Sequence, residues 1–277
     1  MSRAFVLSGG ASHGAMQVGM MAALADEGVR PEMVAGTSVG AINAAWIAGG
    51  GSPAGLGAIW SDLHRRDLFP NSVVRAVRAF AGRAPSFFPD TGLRRVLRDH
   101  LPFDRLEDAE LPITVIATDE LTGEEVRLRR GPAVDAIAAS ASIPALLPPV
   151  VIDGRRLVDG AVVNNTPITV AIEEGATEVW VLTTGFGCAV TAPPARAFAS
   201  ALRAVGLMVE RRLVLELATA RYPVPVHLVP SPCTVDVSPI DFSRSDELID
   251  MGYETVASWL RSGRPTLLDA GDPHLHP

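Results

Sequence analysis

Three short stretches of this chain carry groups that could do chemistry. The first is "GTSVG" (36–40), in which Ser38 stands between Gly36 and Gly40. It ends the apolar run "EMVAG" and opens a small-residue run to Ala48. A G-x-S-x-G between a strand and a helix makes a sharp turn that projects the hydroxyl from the carboxyl edge of a sheet. Glycines without Cβ let strand and helix approach closely. The helix N-terminus adds N–H groups and a positive dipole end beside the hydroxyl. Ser38 is then a candidate nucleophile. The same residues also suit a plainer role, with Ser38 capping a tightly packed helix.

The second stretch is "LSGGASHGA" (7–15), with Gly9, Gly10, Ala11, His13 and Gly14. Backbone N–H groups of such a loop can hold an anion, either a phosphate or the oxyanion of an acyl-transfer intermediate. It also reads as a tight strand-to-helix turn with no ligand. A nucleotide is the weaker reading, because G-x-G-x-x-G is absent and Met16 replaces the last glycine of the wider dehydrogenase pattern. The third stretch is "LVDGAVVNNTPITVA" (157–171), where Asp159 and Gly160 open a loop. Asp159 is either a turn residue or a base.

A serine hydroxyl is a poor nucleophile until a base takes its proton. Six histidines are present: His13, His64, His100, His227, His274 and His276. The order Ser38, Asp159, His227 satisfies an α/β-hydrolase triad, but that fold threads several strands before its elbow and only one fits before residue 34. His13 is a minor alternative as base. All 24 basic residues are arginine. Without lysine there is no Schiff base, no Ser–Lys dyad, no P-loop lysine and no Tyr/Lys dehydrogenase pair.

The elements that must position these groups alternate. Strands are expected at 4–8, 32–36, 111–120, 124–131, 178–184 and 224–229, with another apolar strand ending at Asp159. Helices are expected at 14–27, 38–48, 54–66, 72–82, 91–99, 132–140, 167–174, within 195–220 and at 244–262. Alternating strands and helices imply a mostly parallel sheet covered on both faces. The 277 residues show no repeat and no linker, so one domain over 1–277 is expected.

A formal charge of −7 argues against nucleic acid as a partner. Cys188 and Cys233 stand far apart, without metal-ligand spacing, and read as thiols of a cytoplasmic protein. The opening "MSRAFVLSGG" breaks on Gly-Gly too early for a signal-peptide core. No run approaches the ~20 apolar residues of a membrane span.

"SGGASHGA", "GTSVGA", "ASASIPALLPPV" (139–150) and "DGAVVNNTP", in this order, resemble the patatin-like phospholipases over about residues 4–184. The resemblance implies a three-layer α/β/α sandwich around a mostly parallel sheet, and a Ser–Asp dyad in place of a triad. Carried onto this chain, it makes Ser38 the nucleophile and Asp159 the general base. It places the oxyanion hole at the amides of Gly9, Gly10 and Ala11. Gly36, Gly40, His13, Gly14 and Gly160 support the elbow and loops, and Ser142, Ile143, Pro144 and Pro148 have packing roles. It also implies a lipid or fatty-acyl ester substrate hydrolysed through an acyl-enzyme, with no cofactor and no metal.

Ala11 stands where the family commonly has a third glycine, and His13 where it carries arginine or lysine. These departures motivate an alternative, a non-catalytic acyl-lipid scaffold. A thioesterase or acyltransferase would use the same parts as a hydrolase. An exposed aspartate is a feeble base, so Asp159 should be desolvated. Residues 71–100 hold six arginines against two aspartates, interleaved with Phe80, Phe87 and Phe88. Such a segment covers the sheet, caps the site, or rests peripherally on an anionic membrane.

Overall fold

Strand β1 (Arg3–Leu7) is apolar on both sides. Phe5 and Leu7 enter one core, while Ala4 and Val6 enter another. A strand with no polar face needs cover above and below, and the chain supplies it. The computed structural model describes residues 2–70, 73–185, 197–232 and 237–263. Cys188, Cys233, His274 and His276 lie outside them.

After β1 come α1 (Ala15–Asp26), β2 (Met33–Thr37), α2 (Val39–Ala48), α3 (Pro53–Asp62), α4 (Arg65–Leu68), α5 (Val73–Phe80) and α6 (Thr91–His100). Then follow β3 (Ile113–Asp119), β4 (Glu125–Leu128), α7 (Ala133–Ser140), β5 (Val150–Ile152) and β6 (Arg155–Asp159). The chain continues through α8 (Ile168–Glu173), β7 (Glu178–Leu182), α9 (Ala197–Thr219), β8 (Val226–Val229) and α10 (Ser245–Arg261). The larger core joins the sheet to α1, α2, α3, α6, α7 and α10; the smaller joins it to α8 and α9. This is the expected three-layer α/β/α arrangement.

The strand order is β5-β6-β3-β2-β1-β7-β8, with β4 paired to β3 off this path. From β3 to β8 the neighbours are parallel. The β4, β5 and β6 pairings are antiparallel. The sequence reading lacked β5, whose three residues directly follow Pro148 and Pro149. The helix expected at 54–66 is two helices. His64 breaks it by capping α4, its N–H donating to the Asp67 carboxylate at 2.9 Å. Helix α1 is apolar nearly all round and is buried accordingly.

Candidate active site

Strand direction is what unites the distant candidates. Along one edge of β3, β2 runs parallel as far as the Thr37–Ile116 pair. β6 takes over antiparallel from the Ala117–Asp159 pair, while β4 fills the opposite edge across Val115–Thr118. β2 and β6 therefore meet C-terminus to C-terminus, with Ser38 leaving one and Asp159 ending the other. A parallel β6 would have carried Asp159 to the far end.

Ser38 Oγ donates to Asp159 Oδ2 at 2.7 Å across 121 sequence positions. Both residues are buried. Ser38 has φ 55° and ψ −125°, a conformation that costs a non-glycine residue about 1–3 kcal/mol. Its N–H donates to Ser140 Oγ at 2.8 Å, which anchors the turn.

Asp159 is held on every side. Its Oδ1 accepts the Ala161 N–H at 2.8 Å, and its own N–H donates to the Ser142 carbonyl at 3.0 Å. Thr118 Oγ1 donates to its carbonyl at 2.8 Å. Burial raises its pKa to about 6, outweighing the hydrogen bonds from Ser38 and Ala161 that favour the charged form. A carboxylate poised there is ionised at neutral pH and basic enough to share a hydroxyl proton.

The Gly-rich loop presents its amides beside this pair. Of the three expected donors Gly9 drops out, because its N–H donates to the Asn165 carbonyl at 3.3 Å. Ser12 and His13 N–H groups donate to the Pro239 and Gly10 carbonyls. The N–H groups of Gly10 and Ala11 have no partner among the described residues, and both residues line one cavity with Ser38 and Asp159. Ala11 has φ 50°, so it holds the left-handed backbone that a glycine would take more easily. A Cβ on Gly14 would meet Val39 Cγ2 at 2.5 Å, and one on Gly160 would meet the Ile116 carbonyl.

Thr184 fixes the direction of the loop. Its Oγ1 donates to the Gly9 carbonyl at 2.8 Å. The peptide plane is rigid, so pinning that carbonyl turns the Gly10 N–H the opposite way. A Cβ on Gly10 would run into the Thr184 side chain. In an acyl transfer at Ser38, Thr184→Val, nearly isosteric, should lower kcat about ten-fold with KM little changed, whereas Thr184→Ser should keep wild-type kcat. Equal kinetics for all three proteins would remove this role.

A buried polar network supports the loop from below. Gln17 Nε2 donates to the Ser8 and Leu182 carbonyls at 2.9 and 3.0 Å. Asn43 Nδ2 donates to the Gly14 carbonyl and to Gln17 Oε1, and Trp60 Nε1 donates to Asn43 Oδ1. Gln17 and Asn43 were not singled out from sequence, although each is the lone amide in an otherwise apolar helix. Ser140 lies within "ASASIPALLPPV" without a local mark of its own role, and Thr184 carried no local signal.

The histidines stand elsewhere. His227 lies on β8, three strands from β2, about 14 Å at normal strand spacing. Its Nε2 pairs with Glu178 Oε1 at 3.1 Å and its ring packs on Trp180, so it completes no triad. His13 is buried, donates from Nε2 to the Val237 carbonyl at 2.8 Å, and has its pKa lowered by burial. It is a neutral support of the loop and not the fixed positive charge of related loops. Among the described residues no three His, Cys, Asp or Glu side chains are placed to hold a metal ion.

Two apolar cavities open at Ser38, Ala11 and Ile143. Leu93 and Val96 of α6, from the basic segment, line one of them, while Val74, Val77 and Phe80 of α5 are exposed.

The family model described as "Patatin-like phospholipase" matches residues 5–172. The chain belongs to the patatin-like phospholipase family. It is 31% identical to patatin-like phospholipase domain-containing protein 7 of Rattus norvegicus, over 66% of this chain and 13% of that one. An uncharacterized NTE family protein of Mycobacterium tuberculosis is 31% identical over 60% of this chain and 44% of its own length. The lysophospholipase NTE1 of Mycosarcoma maydis is 30% identical over 67% of this chain and 10% of its own. This patatin-like chain thus spans less than half the length of these curated relatives. In fold it is similar to VipD from Legionella pneumophila, with TM-score 0.55 and 14% identity, over 94% of this chain and 67% of that one. Of the four sequence motifs that mark the family, "ASASIPALLPPV" proves to do more than pack: Ser140 and Ser142 hold the backbones of Ser38 and Asp159.

Proposed function

We propose that this protein is a serine lipid acyl hydrolase with a Ser38–Asp159 dyad, built as one catalytic unit from β1 to α10. The observation that carries the reading is the 2.7 Å hydrogen bond from Ser38 Oγ to a buried Asp159 carboxylate. The unpartnered Gly10 and Ala11 amides and the two apolar cavities support it.

In the first half-reaction, Ser38 Oγ forms a bond to the ester carbonyl carbon as its proton passes to Asp159. The Gly10 and Ala11 N–H groups hold the developing oxyanion, each such donor being worth about 3 kcal/mol. The carbon–alkoxy bond breaks, and Asp159 returns the proton to the departing alcohol. In the second half-reaction, water gives a proton to Asp159 and attacks the acyl carbon. The carboxylic acid leaves and the proton returns to Ser38 Oγ. No fixed cation is needed in this scheme, which is consistent with neutral His13. The lipid surface is met by α5, whose Val74, Val77 and Phe80 recur along one helical face between arginines.

A fluorophosphonate probe phosphonylates a serine only when its hydroxyl is activated. It should label the folded protein at Ser38, and the label should be recovered on the peptide containing "GTSVG". Folded protein that stays unlabelled would falsify the hydrolase reading and favour an acyl-lipid scaffold.

A further inference from the structure

The two cavities that meet at Ser38 differ in the residues that line them, and above all in which of them Asp159 lines. The first is walled by Val39 and Ile42 of α2, Leu56 and Trp60 of α3, and Leu93 of α6, and Phe242 also lines it. Five of these six are at most 6% exposed. The second runs beneath Leu202, Val205 and Val209, one face of α9. It is bordered by Val162, 58% exposed, and Val205, 50% exposed. Asp159 lines the second cavity and not the first. It is the only charged side chain among the described residues of either lining.

We infer that the cavity between α2, α3 and α6 takes the acyl chain that is transferred to Ser38, and that the α9 cavity takes the alcohol half of the ester together with an apolar chain of its own. This rests on the Ser38–Asp159 reading and extends it to the substrate. The proton that Asp159 has taken must go to the departing alkoxide as the carbon–oxygen bond breaks, so the alcohol must lie on the Asp159 side. The acyl chain is left with the other cavity. Burying methylenes there favours binding, so longer chains bind better until the walls end. An apolar second cavity suits the second chain of a diacyl lipid. Among the described residues neither lining carries a cation for the phosphates of an acyl-CoA, so a polar headgroup stays outside.

Two substitutions at half-exposed positions separate the cavities without overpacking a core. Ile59 lines the acyl cavity and Val205 the α9 cavity. With the full chain, Ile59→Trp should lower the ratio of kcat/KM for nitrophenyl palmitate over nitrophenyl butyrate at least ten-fold. Val205→Trp should keep that ratio at its wild-type value and lower turnover of a diacyl phospholipid relative to its lysophospholipid at least ten-fold. Exchange of these two patterns, or identical profiles for both variants, overturns the assignment. A short-chain fluorophosphonate should label all three proteins equally. If it does and the profiles fail, the cavity assignment alone is wrong; if wild type is not labelled, the underlying dyad has failed first.

Discussion

Asp159→Asn is expected to slow ester hydrolysis by about three orders of magnitude and yet to yield a protein more stable than wild type at neutral pH. The two halves of this result have one cause. Removing the carboxylate removes the group that takes the Ser38 proton, so the hydroxyl reverts to a weak nucleophile. Asparagine can keep the local hydrogen bonds: its Oδ1 can accept the Ala161 N–H and its Nδ2 can donate to Ser38 Oγ, the two contacts that Asp159 makes now. The fold therefore loses a buried charge and little else. Ser38→Ala should be at least as damaging to turnover, because residues acting as a unit lose most of their effect when any one is removed.

The sign of the pH dependence follows from burial. The Asp159 pKa rises from an ordinary 3.8 to about 6 in the folded protein. Ionisation is thus harder in the native state than in the unfolded chain, and the charged form weakens the fold. Below about pH 4 both states hold the proton and the penalty is absent. It grows as pH rises to about 6 and then stays constant at about 3 kcal/mol. In parallel melts, the Asn variant should exceed wild type by several degrees at about pH 8 and converge with it near pH 4. Wild-type kcat/KM should climb with pH through about 6 and level off above it, since only the ionised carboxylate accepts a proton. Wild-type turnover in the Asn variant, or an Asn variant that melts no higher than wild type at about pH 8, would show that this carboxyl is not the base described.

What could be read in the sequence was whatever announces itself locally. Ser38 and Asp159 each abut a strand end and a glycine-bearing turn, and Gly9 and Gly10 follow an apolar run. Strands with two apolar faces also declare a covered sheet, so the three layers were legible. Strand direction was not. Nothing in "RRLVD" distinguishes a parallel from an antiparallel neighbour, yet the antiparallel course of β6 is what brings its last residue to Ser38. Thr184, Ser140, Gln17 and Asn43 escaped for a related reason. Each is a single polar side chain whose partner arrives from more than 20 positions away, apart from Gln17 reaching back to Ser8 and Asn43 accepting from Trp60. The histidines misled in the opposite sense: His227 follows Ser38 and Asp159 in a triad's order, but chain order says nothing of the strands between β2 and β8. The partition of apolar volume at Ser38 depends on α2, α3, α6 and α9 together, and no window of sequence contains it.

Gly40→Ala is expected to be the most disruptive single methyl that can be added at the elbow. Local propensity alone favours the change, since alanine is about 1 kcal/mol better than glycine inside a helix. Packing reverses it. A Cβ at this position would overlap the Leu7 carbonyl and lie 2.6 Å from Ser8 O. Neither neighbour can yield cheaply. Leu7 belongs to a central strand paired with β2 on one edge and β7 on the other. The Ser8 carbonyl is held by Gln17 Nε2. The strain, about 3 kcal/mol or more, must therefore push α2 away from the sheet or drive Ser8 and the Gly9–Gly10 amides out of line with Ser38. Urea unfolding should show the stability loss, and fluorophosphonate labelling should fall with it even in the fraction that stays folded. Gly28→Ala is the control: its φ is +72° but its side-chain space is empty, so it should cost only about 1 kcal/mol and leave labelling intact. Were the two variants to behave alike, the contact between the elbow and β1 would be looser than the packing requires, and the hydroxyl's position would have to be set by Ser140 and Asp159 alone.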